Sequence, residues 1–232
     1  MKRLASQNNL EINKNINMIQ TLKPINDDNN LKIEYYVIHM NSSIERKSNI
    51  LEMEKKLNKK INIFDAIDGN KIKNINDYNV NYTFNTQNKN EIGCYLSHFC
   101  LIKQLLNSDN NYTIIFEDDF NIVVDDLHGI IINIISLLNN DFDVVFLGTF
   151  FTYLFNNTNI NNIYKPKKHL IGAQALLINN KNINKIYNEL KNFSNLIDWK
   201  YMELHKTNKL NIYVINPSLV IQNKNFKSTI II

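Results

Sequence analysis

The sequence predicts one α/β domain built on a mixed, largely parallel sheet, and three observations lead there. From Glu34 onward, short runs rich in Ile, Val, Tyr and Phe alternate with helix-like runs. One helix-like run, EIGCYLSHFCLIKQLL (91–106), is apolar nearly all round and so belongs inside the molecule. The length, 232 residues, suits a single domain with a sizeable core.

Taken in order, residues 1–30 are polar and Asn-rich, with Pro24 and then NDDNN, and predict a flexible tail ahead of one domain spanning 31–232. EYYVIHM (34–40) is β-branched and aromatic, and predicts the first strand. IERKSNILEMEKKLN (44–58) predicts an amphipathic helix with Ile44, Ile50, Leu51, Met53 and Leu57 on its inner side. A short strand INIF, a turn at DGNK and a polar, irregular stretch to Asn90 follow. After the buried helix, YTIIF is a strand, Asp125 and Asp126 open a helix running to Leu138, and DVVFLG (143–148) is a strand. The run FFTYLFNNTNINNIYKPKKH has no clear period. Beyond it the pattern gives a strand QALLIN (174–179), helices near 181–192 and 198–206, and strands NIYVI and LVIQ.

Composition excludes several classes. The net charge of +4 is mild, and the lysines are scattered rather than gathered with aromatics into a stripe, so nucleic acid is not an expected partner. Roughly one residue in five is Asn, a usage that speaks of an AT-rich genome, viral genomes included, and not of function. That abundance also accounts for the five Asn-X-Ser/Thr triplets. Cys94 and Cys100 lie six apart on one helix, roughly 240° apart around its axis, so they cannot bond to each other there. No run is long and apolar enough to span a membrane, and the N-terminal residues do not form a convincing signal peptide. A soluble, cytoplasmic protein is expected.

The chemistry concentrates in YTIIFEDDF (112–120), where a strand ends in three consecutive carboxylates, Glu117, Asp118 and Asp119. Adjacent like charges repel. In open α/β sheets ligands bind just past the carboxyl ends of strands, and a carboxylate cluster there suits a hard divalent cation that keeps open positions for phosphate oxygens. The competing reading has one carboxylate capping the next element and the others solvated. In the preceding helix Glu91, Cys94 and His98 share one side. On an apolar helix such polar groups need partners, either each other or the carboxylates.

EIGCYLSH followed by IIFEDDF resembles glycosyltransferase family 25, which includes lipooligosaccharide glycosyltransferases and collagen galactosyltransferases. Further pieces fall in the family's order: YYVIHMNSSIERKSNI with Arg46, FDAIDG, DFDVVFLG, GAQALLI, LIDWKYMEL, and NPSLVIQNKNFKST with Gln222. Together they span about Glu34 to Thr229.

The resemblance implies a GT-A-like (Rossmann-like) fold, a nucleotide-sugar donor (a UDP-sugar foremost), Mn²⁺ or Mg²⁺, and a glycan or hydroxylated, collagen-like protein acceptor. Glu117 and Asp119 stand at the outer positions of the family's DXD-like element. Asp119 and Glu117 are then the expected metal ligands, with Glu117 and Asp118 orienting ribose, water or metal. Arg46, His39 and Asn41 would face the nucleotide, Arg46 being equally placed for a surface salt bridge. The family's inverting chemistry needs a general base, for which Asp198 is the first candidate and Glu91 and Glu203 the next. Asp198 also fits a helix N-cap. Asn41 and Asn90 depart from the Asp and Gly frequent in the family. Two other readings stay open: a relative that binds sugar or nucleotide without turnover, and a partner-binding protein whose carboxylates merely hold an ion.

Overall fold

The computed structural model describes residues 31–150, 155–167 and 171–226. The expected tail, residues 1–30, lies outside the described residues. Twelve strands and five helices occur among those described: β1 Ile33–His39, α1 Ile44–Leu57, β2 Ile61–Asp65, β3 Asn81–Tyr82, α2 Lys89–Leu105, β4 Tyr112–Glu117, β5 Phe120–Ile122, α3 Leu127–Leu137, β6 Val144–Phe146, β7 Phe155–Asn157, β8 Ile163–Pro166, β9 Ala175–Asn179, α4 Ile183–Leu190, β10 Asn192–Phe193, α5 Ile197–Lys206, β11 Ile212–Ile215 and β12 Val220–Gln222.

Eight strands make one sheet in the order β2-β1-β4-β9-β6-β11-β8-β7. Following the pairings across it, β2, β1, β4, β6, β11 and β7 point one way, and β9 and β8 the other. The sheet is mixed, as the sequence predicts, with the reversed β9 wedged between two parallel sets. β4 and β9 are buried on both faces. Ile114 and Phe116 join the apolar layer under α1 and α3, while Ile115 joins the layer with α2, α4 and α5. In β9 Ala175 and Leu177 face the first layer, and Leu176 and Ile178 the second. Double burial is why these strands read as continuous apolar runs rather than alternating ones.

α2 is sunk in the second layer, with Tyr95, Leu96, Phe99, Leu101 and Ile102 fully buried. Tyr95 stacks on Phe193 at 3.7 Å between centroids, and its hydroxyl donates to the Leu190 carbonyl at 2.7 Å. The start of α2 presses on the short 3-10 turn Gly69–Lys71. A Cβ on Gly93 would lie 2.5 Å from the Ile67 carbonyl oxygen, and one on Gly69 would lie 1.7 Å from that of Lys89. Both neighbours are backbone and cannot swing aside. Gly93→Ala is therefore expected to destabilise the fold by about 1–3 kcal/mol, the usual cost of overpacking, as read by urea denaturation.

α1 corrects one expectation. Its buried side is Arg46, Asn49, Ile50, Met53 and Leu57, whereas Ile44 and Leu51 are 76% and 54% exposed. Two polar residues displaced two apolar ones because each has a buried partner. Arg46 meets Asp118, and Asn49 Nδ2 donates to the Phe120 carbonyl at 2.8 Å. The helix rotates to satisfy them, since an unpaired buried polar group costs more than an exposed leucine.

Candidate active site at the carboxyl edge of the sheet

The parallel register of β2, β1 and β4 brings Asp65, His39 and Glu117 out at one edge, with Ile38 opposite Glu117 and His39 opposite Asp65. The chain then turns from β4 into β5, which pairs antiparallel with β12 so that Gln222 lies opposite Phe120. The three consecutive carboxylates fall in this turn, and each meets different company.

Asp118 is buried and fully engaged. His39 Nδ1 donates to it at 2.9 Å, the Met40 N–H at 3.2 Å, and the Arg46 guanidinium on its other oxygen. Arg46 also lies 3.8 Å from Asp119, with the Phe226 ring 5.7 Å away on its cation face. His39, Arg46 and Asp118 thus form a closed ionic floor.

Asp119 is buried but only half satisfied. Gln222 Nε2 donates to its Oδ2 at 2.8 Å, while Oδ1 is buried with no hydrogen-bond partner among the described residues. Burial, reinforced by Glu117, pushes its pKa up to about 6 against the opposing pull of Gln222 and Arg46. Its one cationic neighbour, Arg46 at 3.8 Å, reaches Oδ2 and leaves Oδ1 without a hydrogen-bond partner among the described residues.

Glu117 is 31% exposed, with His98 Nε2 at 3.4 Å and Cys94 Sγ at 3.9 Å from its Oε1. Residues 94 and 98 lie one turn apart on α2, so both face the strand end. Burial and the adjacent Glu117 raise the Cys94 thiol pKa well above its ordinary value.

Arg46, Cys94, His98, Glu117, Asp118, Asp119 and Gln222 line a cleft of about 310 Å³, whose lining also includes Ser42, Ser43, Ile67, Asp68 and Asn70. A second compartment of about 310 Å³ adjoins it, sharing Met40, Ser42 and Ile67 and adding Asn41, Lys71 and Tyr78. Asn41 belongs to that outer compartment, where its amide donates to Asp65 at 2.9 Å. The N-terminus of α1 opens on the main cleft, and its N-cap, Ser43, makes no side-chain capping bond.

Asp198 sits in the first turn of α5, whose N-cap is Leu196; the capping alternative for Asp198 is thereby corrected. Its Oδ2 accepts the Gly172 N–H at 2.8 Å, and its Oδ1 accepts that of Trp199 at 2.8 Å. Burial nonetheless raises its pKa, and Glu117 adds to the rise, so the two carboxylates lie within each other's field. Gly172 adopts φ +92°, a region that favours glycine, and a Cβ there would strike Gln174 and the Phe150 ring.

Glu91 stands apart from the cleft lining. Thr86 Oγ1 and Asn88 Nδ2 donate to it at 2.5 and 3.2 Å, and the Asn88 side chain caps α2. That arrangement serves the helix start. Glu203 is tied to Ser194 and to the buried Lys200, holding α5 in place. The Gly172 amide on Asp198 escaped the sequence reading. Its one trace was the Gly-Ala pair of GAQALLI.

The chain belongs to glycosyltransferase family 25, described as "Glycosyltransferase family 25 (LPS biosynthesis protein)", which matches residues 32–203. It is accordingly a glycosyltransferase with a mixed α/β fold, taking a nucleotide-sugar donor and an acceptor. Among solved structures it is similar to A197 from STIV, at 11% identity over 82% of this chain and 83% of that one, with a TM-score of 0.47. A Bacillus anthracis protein assigned as a glucose-1-phosphate thymidylyltransferase, in complex with sucrose, is similar at 9% identity over 81% and 69%, with a TM-score of 0.39. No curated protein matches. Among the described residues no helix is long and apolar enough to cross a membrane.

Proposed function

We propose that this glycosyltransferase is metal-dependent and inverting, moving a hexose from a UDP-sugar to a hydroxyl of a glycan or of a hydroxylated, collagen-like protein. The observation that carries the reading is Asp119, a buried carboxylate with one oxygen unpartnered, beside the half-open Glu117 on the cleft wall. All-oxygen donors of this kind suit Mn²⁺ or Mg²⁺, and Asp119 with Glu117 would hold the ion. When bound, such a cation offsets the charge of the departing diphosphate.

The rest of the site divides the work. Ser42, Ser43 and the N-terminus of α1 offer donors and a favourable dipole to the diphosphate. Asn41, Lys71 and Tyr78 surround the outer compartment, where the nucleoside extends. Arg46, His39 and Asp118 fix the floor from below. Asp198 takes the proton of the acceptor hydroxyl as the new C–O bond forms and the bond to diphosphate breaks on the opposite face. Burial raises its pKa, the direction that makes a carboxylate a stronger base. Phe150, which packs beside Gly172, and Trp199, next to Asp198 in the chain, are 47% and 37% exposed and give an acceptor sugar an apolar surface.

A panel of UDP-, GDP- and CMP-sugars, assayed for nucleotide release with Mn²⁺, Mg²⁺ and chelator, tests the reading. Release from one donor, lost with chelator and restored by metal, is expected. Release that persists undiminished in chelator removes the metal from the reading. Asp198→Asn is expected to keep donor binding while transfer falls at least ~100-fold. Unimpaired transfer in that variant removes Asp198 as the base.

A further inference from the structure

We propose that Cys94, His98 and Glu117 form a second metal site, open on the cleft, that takes Zn²⁺ in preference to Mg²⁺ or Mn²⁺ and inhibits the enzyme when filled. Cys94 Sγ, His98 Nε2 and a Glu117 oxygen all lie within 4.8 Å of one another. The Sγ to Oε1 separation is 3.9 Å, and that from Nε2 to Oε1 is 3.4 Å. A tetrahedral zinc with bonds of about 2.3 Å to sulfur and about 2.0 Å to nitrogen and oxygen sets those separations at about 3.5 and about 3.3 Å. The two separations to Glu117 therefore need to close by only a few tenths of an ångström.

The donor set chooses the metal. Thiolate and imidazole favour zinc, whereas Mg²⁺ and Mn²⁺ seek oxygen and find it at Asp119. The scaffold is rigid, because Cys94 and His98 project from one face of the most buried helix and Glu117 ends the doubly buried β4. All three residues line the cleft, so the fourth coordination position opens into it. Three protein ligands and one open position make a site that a mobile ion can enter and leave. On binding, the Cys94 S–H proton passes to solvent and a Zn–S bond takes its place. Without an ion the cluster is poorly matched, since a neutral thiol and a long contact to His98 are all that face Glu117 from α2.

Inhibition follows because Glu117 cannot serve both ions, and zinc withdraws it from the activating one. The inhibition rests on the proposed role of Glu117; the binding does not.

Co²⁺ titrated into the reduced protein supplies the test, because thiolate-bound tetrahedral cobalt is coloured. Wild type is expected to develop thiolate–cobalt absorption saturating near one equivalent, which one equivalent of Zn²⁺ erases. Asp119→Asn should keep that absorption, and Cys94→Ala should lose it while Cys100 remains. In Mn²⁺-activated donor hydrolysis, each variant measured against its own zinc-free rate, Cys94→Ala should need at least ten times more Zn²⁺ for half-inhibition. Absent absorption in wild type, or absorption unchanged in Cys94→Ala, overturns the site. Equal zinc sensitivity of wild type and Cys94→Ala overturns the inhibition. A cobalt spectrum in a protein showing no metal-activated hydrolysis would keep the zinc site and reject the reading of the donor metal instead.

Discussion

Asp119→Asn is expected to abolish metal-dependent donor binding and, in chelator at pH 7.5, to make the protein more stable than wild type. Both effects have one cause. Asp119 is buried, accepts one bond from Gln222, and leaves its second oxygen unpartnered among the described residues. Its folded pKa of about 6 lies above the roughly 3.9 of an unfolded Asp. Below pH 4 the group is protonated in both states and imposes no cost. As pH rises from 4 through 6 the unfolded chain ionises first, and the advantage of the folded state is progressively lost. Above 6 the loss is complete, on the order of 3 kcal/mol. Asparagine keeps the acceptor for Gln222 and carries no charge, so it should melt roughly 5 °C higher in chelator. Millimolar Mn²⁺ should reverse the order, raising the melting point of wild type by mass action and leaving the variant where it was. At fixed, subsaturating metal, wild-type activity should fall as pH drops through about 6, and added metal should push that fall to lower pH. A variant no more stable than wild type in chelator, yet still stabilised by Mn²⁺, would remove Asp119 from the metal site.

The second large effect belongs to the floor. Arg46→Ala leaves the buried Asp118 carboxylate with only His39 and the Met40 amide, and should cost about 3–5 kcal/mol in urea denaturation. Asp118→Ala takes the nearer carboxylate from the buried Arg46 cation, leaving Asp119 at 3.8 Å, and should cost somewhat less. The double variant Arg46→Met with Asp118→Leu should recover much of that loss, because it removes both charges together. Arg46→Lys should fall between, since an ammonium lacks the planar fork of a guanidinium. Single variants losing less than about 1 kcal/mol would show that the pair is solvated.

The large elements were legible because burial writes a period into sequence. β4 and β9 read as strands and α2 as an all-round apolar helix; the double burial of the two strands came from the structure. The face of α1 was not legible, because apolar count alone placed Ile44 and Leu51 inside, whereas distant partners drew Arg46 and Asn49 there instead. Strands of two or three residues, such as β3, β7 and β10, carry too few side chains to show any period. The strand end with its three carboxylates stood out at once, but their different fates did not. Asp118 is set by His39 and Arg46, 79 and 72 residues upstream, and Asp119 by Gln222, 103 residues downstream. Nothing local to EDD distinguishes the paired carboxylate from the half-paired one. Glu91, Cys94 and His98 do lie along one side of the helix in sequence, yet Glu91 goes to the nearby Thr86 and Asn88 at the helix start, and only tertiary contact gives the other two to Glu117.

The central claim is that Asp119 and Glu117 hold the ion through which this cleft grips a nucleoside diphosphate. Calorimetric titration of UDP into wild type, once with Mn²⁺ and once with chelator, tests it most directly. Binding with Mn²⁺ that weakens at least ~100-fold in chelator, and is equally weak in Asp119→Asn under both conditions, is the expected result. Binding of the same strength in chelator as in Mn²⁺ would contradict it, leaving the diphosphate to the α1 terminus and the surrounding side chains alone.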